Sequence, residues 1–113
     1  MLGIEKYAKV KNTCCIGYFG PDYVALLELI DSREQILKLL PGIEIHLACR
    51  DEFAQKLKNV PNLIPSKELR SKRQEFAFFY EATSDGNQSP AVRLLNGIQS
   101  DKIQLEKSIV TNT

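Results

Sequence analysis

The amino-acid sequence predicts a three-layer α/β domain, with a mostly parallel sheet of about four strands and helices on both faces. Two observations carry that prediction. The first is the run from residue 13 to residue 49, which reads TCCIGYFGPD, then YVALLELIDSREQILKLL, then PGIEIHLAC. A short apolar strand, a glycine-containing turn, an amphipathic helix, a Pro-Gly stop and a second strand form a βαβ unit, the building block of parallel folds. The second is FAFFYEA at 76–82, an aromatic run followed by a polar loop and another helical pattern.

Taken in order, residues 1–12 are polar and read as an N-terminal arm. Residues 13–19 are the first strand, and Gly20-Pro21-Asp22 is a turn that feeds a helix. Tyr23, Leu26, Leu27, Ile30, Leu37 and Leu40 recur at helical spacing. The polar run at 31–35 interrupts this stripe, and Ser32 with Gln35 fits a capping box, so the helix either continues or breaks and restarts there. Pro41-Gly42 ends it. Residues 43–49 alternate apolar Ile43, Ile45, Leu47 and Cys49 with Glu44, His46 and Ala48, the pattern of a less buried strand near a sheet edge. Residues 51–58 form a short helix. Asn62, Leu63 and Ile64, framed by prolines, allow only a very short strand, and residues 66–73 read as a helical turn with Leu69 inward. Residues 76–82 lack a polar face and read as a central strand buried on both sides. Ser89 as N-cap and Pro90 at the first helical position open a last helix through about residue 98. The single domain is therefore 13–99. Residues 100–113 are a polar tail in which Ile103, Leu105, Ile109 and Val110 are the apolar residues available to dock.

Composition narrows the function classes. At 113 residues the chain is one domain, and its 43% hydrophobic and 26% charged residues are ordinary for a globular protein. A formal net charge of +1 argues against nucleic acid and against a membrane surface as partner. The one basic cluster, Lys67, Arg70, Lys72 and Arg73, is diluted by Glu68 and Glu75 and reads as a solvated face. No apolar run approaches the roughly 20 residues of a membrane span. Residues 1–12 lack the apolar core of a signal peptide. The three cysteines, Cys14, Cys15 and Cys49, form no framework, which suggests reduced thiols and the cytoplasm. Cys14 and Cys15 point to opposite faces of one strand and cannot bridge. His46 is the sole histidine, and the cysteines lack metal-ligand spacing, so neither a metal site nor another cofactor is expected.

Right-handed crossovers place 76–82 beside the first strand and 43–49 on its other side. The topological switch point then falls between the ends of the first and last strands, where parallel α/β folds bind ligands. The candidate ligand-binding residues are Gly17, Gly20 and Asp22 from the first turn, Ser84 and Asp85 from the loop after the last strand, and Arg50 after the second strand. A glycine-rich turn before a helix can present N–H groups to an anion. Here Pro21 removes one donor, and Asp22 puts negative charge where an anion would dock; the plainer reading makes Asp22 a helix-stabilising residue. In the loop that holds Ser84 and Asp85, a carboxylate such as Asp85 can orient a sugar hydroxyl or act as a base, or the loop is simply solvated with Asp85-Gly86 as its turn. Arg50 can meet a phosphate or pair with Asp51 or Glu52.

The segments CCIGYFGPDYVALLEL, ILKLLPG, IEIHLACRDE, NVPNLIP and FAFFYEA, in that order over about 13–82, resemble the opening of the heptosyltransferase-like GT-B glycosyltransferases. The resemblance implies a Rossmann-like half-domain, with a second domain supplying the nucleotide-sugar site, and it aligns Asp22 with the acidic residue of the family's first loop. The function it implies is a glycosyltransferase-like half-domain that binds a sugar- or nucleotide-sugar-related ligand without complete activity alone. The alternative is a non-catalytic interaction module that forms a homodimer or completes a second subunit.

Overall fold

The computed structural model describes residues 12–105. Residues 1–11 of the expected arm and the end of the tail, with Ile109 and Val110, lie outside the described residues.

Four strands form one parallel sheet: β1 (Thr13–Gly17), β2 (Glu44–Cys49), β3 (Leu63–Pro65) and β4 (Phe78–Glu81), in the spatial order β3-β2-β1-β4. The helices are α1 (Tyr23–Leu39), α2 (Asp51–Lys56), α3 (Ser66–Lys72) and α4 (Pro90–Gln99), with a 3₁₀ turn at Arg73–Glu75. The predicted fold class is the observed one. Two successive crossovers move outward from β1 to β3, so α1 and α2 share a face; the return to β4 puts α3 on the other. The burial agrees. Phe53 of α2 joins the larger core beneath α1 and α4, with Cys14, Ile16, Leu26, Leu29, Leu47 and Leu94. Leu69 of α3 joins Cys15, Ala48 and Ile64 on the opposite side. Cys14 and Cys15 thus serve different cores, as strand alternation requires.

α1 does not break. It runs for 17 residues, and Ser32, buried inside it, donates its hydroxyl to Leu29 O at 2.7 Å. That back-bond satisfies the serine within the helix, where a cap would have required extended backbone. The buried stripe is Ala25, Leu26, Leu29 and Ile36, while Leu27 and Leu37 face water. Gly42 ends the connection to β2 at φ +92°, a left-handed geometry that suits glycine.

Two strand assignments are corrected. The aromatic run was expected to be central, yet β4 is an edge strand and half-buried. Its rings alternate: Phe78 and Tyr80 lean on the larger core and Phe79 on the smaller one, where the Arg73 guanidinium covers it at 4.1 Å. Large rings on both faces make the sequence look central, although among the described residues only β1 pairs with the strand. β2 was expected near an edge and instead lies inside the sheet, because β3 pairs with it through Leu47, Ala48 and Cys49. Its polar residues, Glu44 and His46, occupy the end that precedes this pairing.

The tail docks in part. Leu105 is 2% exposed in the larger core. Gly97 makes this possible: a Cβ there would lie 2.3 Å from the Cδ1 of Ile103, and its carbonyl accepts the N–H groups of Lys102 and Ile103.

Candidate functional site

The candidate site lies where the chain crosses from one side of β1 to the other. At the carboxyl ends of β1 and β4 there is a cleft of about 320 Å³ lined by Tyr18, Phe19, Gly20, Glu81, Ala82, Thr83 and Ser84. The backbone that shapes it follows from short-range chemistry. Tyr18 turns its buried ring under the turn, and its hydroxyl accepts the Asp22 N–H at 3.2 Å. A Cβ on Gly20 would sit 2.5 Å from that hydroxyl oxygen, so the close approach requires glycine. The Arg50 Nε donates to Phe19 O at 2.8 Å and ties the turn to the end of β2.

The other wall is equally bound up. Arg93 Nη1 donates to Thr83 O at 3.2 Å and to Thr83 Oγ1 at 2.9 Å. Asp85 Oδ1 accepts the N–H groups of Asn87 and Gln88, both at 2.8 Å, and its second oxygen lies 3.6 Å from Arg93 Nε. The two backbone N–H bonds, first that of Asn87 and then that of Gln88, hold the Asp85 carboxyl below its ordinary pKa, with Arg93 adding to the effect.

Of the six residues singled out in the sequence, the structure brings Gly20 and Ser84 into the cleft. Gly17 lies beneath it, where a Cβ would meet the rings of Phe19 and Phe79 at 2.7–2.8 Å. Asp22, Arg50 and Asp85 hold backbone around the cleft. The Asp22 Oδ1 accepts from Val24 and Ala25 at 3.0 and 3.2 Å, an N-cap on α1. Arg50 pairs its Nε with a carbonyl, where the plainer sequence reading had offered Asp51 or Glu52. Asp22→Ala is expected to lower the unfolding free energy by about 0.5–2 kcal/mol, read from urea melts. Asn at the same position should retain most of that stability, because its carbonyl oxygen can accept the same bonds.

Sequence reasoning missed Tyr18, Thr83 and above all Glu81. The Glu81 carboxylate is exposed, lines the cleft and has no ion pair or hydrogen-bond partner among the described residues. In the sequence it reads as one more residue of the 76–82 strand; the end of β4 at Glu81 is what exposes it. The N-terminus of α1 is capped by Asp22, and that of α4 by the Ser89 hydroxyl, which accepts the Val92 N–H. Among the described residues, Glu81 is the one charged residue of the lining. The cleft is therefore better suited to hydroxyl groups than to phosphate.

Elsewhere the chemistry is quieter. Cys14, Cys15 and Cys49 are free and buried. His46 pairs with Glu44 at 2.5 Å and lies against the Phe76 ring at 5.0 Å, on the stretch of β2 ahead of its pairing with β3. A trough of about 470 Å³ between α2 and α3 has a mixed-charge rim, and its Asp51 carboxylate is engaged by the Lys67 N–H. Among the described residues, no three His, Cys, Asp or Glu side chains form a group able to hold a metal ion, and no helix is long and apolar enough to cross a membrane. No family model, no curated protein and no solved structure matches this chain.

Proposed function

We propose that this domain is a glycosyltransferase-like half-domain that binds a sugar- or nucleotide-related ligand at the β1/β4 cleft, without completing a transfer reaction alone. The observation that supports it most is the position of the cleft at the topological switch point of a parallel sheet. The lining chemistry fits the sugar part of such a ligand. Glu81 accepts hydrogen bonds from vicinal hydroxyls, Ser84 adds a hydroxyl of its own, and the half-buried Phe19 ring offers an apolar face. Both neighbouring helix ends are already capped, the charge of the lining among the described residues is the negative Glu81, and the nearby Arg50 and Arg93 guanidiniums are engaged by Phe19 O and by Thr83 and Asp85. The half-domain therefore takes the ribose or hexose part of a ligand and leaves any pyrophosphate to a second body.

The test is a thermal-shift and NMR titration of the full chain with hexoses, nucleosides, nucleotides and nucleotide-sugars at millimolar concentration. A native-state ligand must raise the melting temperature, by the equivalent of about 2.7 kcal/mol at a hundred times its Kd. Glu81→Gln is expected to weaken binding about tenfold or more, since hydrogen bonds to a charged group contribute roughly 1.5–3 kcal/mol. Silence across the panel, or a glutamine variant that binds like the parent, would sink the reading.

A second reading, a non-catalytic interaction module, is favoured by apolar side chains left in water on α1 and α4: Val24 is 62% exposed and Val92 44%.

A further inference from the structure

We infer that the groove between α1 and α4 is a docking site for a basic amphipathic helix of a partner protein. The inference rests on the second reading above and gives it a partner. The groove encloses about 560 Å³. Its α4 wall is apolar, built on Val92 and Leu95. Its α1 wall carries Glu28, Asp31, Gln35 and Lys38, and the spacing of three and four residues puts them on one side of the helix. Val24, exposed, stands one turn before Glu28 on the same side of α1.

The charge is what selects the occupant. Glu28, Asp31 and Glu34 set three carboxylates against the single ammonium of Lys38. None of the three carboxylates has an ion pair or a side-chain hydrogen bond among the described residues. The whole chain carries +1, so this negative excess is local to the groove. A helix with Leu-like residues on one flank and Lys or Arg on the next matches both walls at once, the helix-in-groove mode of recognition. Val24 to Lys38 spans about 21 Å at 1.5 Å per residue, enough for roughly four turns of such a helix. A second copy of this chain is the poorer occupant. Among the described residues, its basic helix, α3, buries its one large apolar residue, Leu69, and has no apolar flank to offer.

The test uses the full chain and three synthetic 14-residue peptides: an amphipathic Leu/Lys helix, a scramble of the same composition, and a Leu/Glu helix. Fluorescence anisotropy should show the Leu/Lys helix binding at least tenfold more tightly than either control, and more weakly as salt rises. NMR shifts should centre on Glu28, Val92 and Leu95. Glu28→Lys with Glu34→Lys, and separately Val92→Asp, should each weaken binding at least tenfold at nearly unchanged melting temperature, since all three positions are on the surface. Equal binding of the scramble, equal binding by the charge-reversed variant, or shifts centred elsewhere would each overturn the inference. If the peptides fail and sedimentation shows a dimer that Val92→Asp breaks, the interaction reading stands with a second copy as occupant and the inference falls. A monomer that ignores all three peptides removes both.

Discussion

Leu29→Ala is expected to lower the unfolding free energy by about 2–5 kcal/mol. Leu29 sits in the middle of α1, is fully buried, and packs in the larger core with Ile16, Leu26 and Leu94. Truncation removes the transfer free energy of three carbons and leaves a cavity in a place that cannot collapse. α1 is pinned at its N-terminus by the Asp22 cap and packs along its length against both the sheet and α4. A domain of this size has a total stability on the order of 5–15 kcal/mol, so the variant loses a large share of it. The loss should move the thermal midpoint by roughly 4–8 °C per kcal/mol. Leu27→Ala, one turn-face away and exposed, is the internal control and should stay within about 0.5 kcal/mol. Equal losses at the two positions would mean that the stripe on α1 has been placed wrongly.

Raising the pH above 9 is expected to destabilise the protein through its three thiols. Burial pushes Cys14 and Cys15 up to about 12 and Cys49 up to about 11, from an ordinary 9.0. The neighbouring Cys15 adds to the shift at Cys14 and Asp51 to that at Cys49, while Arg73 pulls Cys15 the other way. The sign follows from which state holds the proton. Above pH 9 the unfolded chain ionises its thiols while the folded chain keeps them protonated, so protons are lost on unfolding and stability falls as pH rises. The contribution is intact below pH 9 and disappears as pH climbs towards 11 and 12. Each thiol held protonated in this window adds a slope of about 1.4 kcal/mol per pH unit. Urea melts at pH 8, 9 and 10 should show the decline, and Cys15→Ala should make it shallower. The same burial makes the thiols inert at pH 8, where the thiolate fraction of Cys14 and Cys15 is lowered about a thousandfold against an ordinary cysteine. A disulfide reagent such as DTNB should therefore titrate the thiols only after denaturant is added. A thiol that reacts at the free-cysteine rate in the native protein, or a stability that is flat between pH 8 and 10, would contradict this account.

The difference between what was readable and what was not shows best in the strands. Alternating polarity at 43–49 reports which face is covered and not distance from the sheet edge. Glu44 and His46 are polar because they lie ahead of the stretch that pairs with β3, while Ala48, two residues on, is fully buried with Ile64 and Leu69. The aromatic run at 76–82 shows the converse. Its rings fill both faces, and nothing in a one-dimensional pattern tells a strand with two neighbours from a strand with one. The site followed the same logic. Sequence reasoning looked for glycines and acids in loops and found Gly20, Asp22, Ser84 and Asp85. The two acids are absorbed by local N–H groups, whereas Glu81, inside a strand pattern, is the carboxylate left open. Its exposure depends on β4 ending at the cleft, a fact about the sheet and not about residues 78–84.

By itself, then, the sequence determined the parallel α/β class, the placing of β4 beside β1, the stop at Pro41-Gly42 and the cap at Ser89. These depend on periodicity, chirality and hydrogen bonds that span a few residues, and a chain carries such information locally. Tertiary structure alone decided which strands are edges, that α1 runs through its polar stretch, that Leu105 docks, and which side chains remain free to meet a ligand or a partner. Those outcomes rest on pairings such as the Thr13 hydroxyl with the Glu75 carbonyl, 62 residues apart. A contact at that separation forms only when the whole sheet assembles, so no short window of the sequence records it.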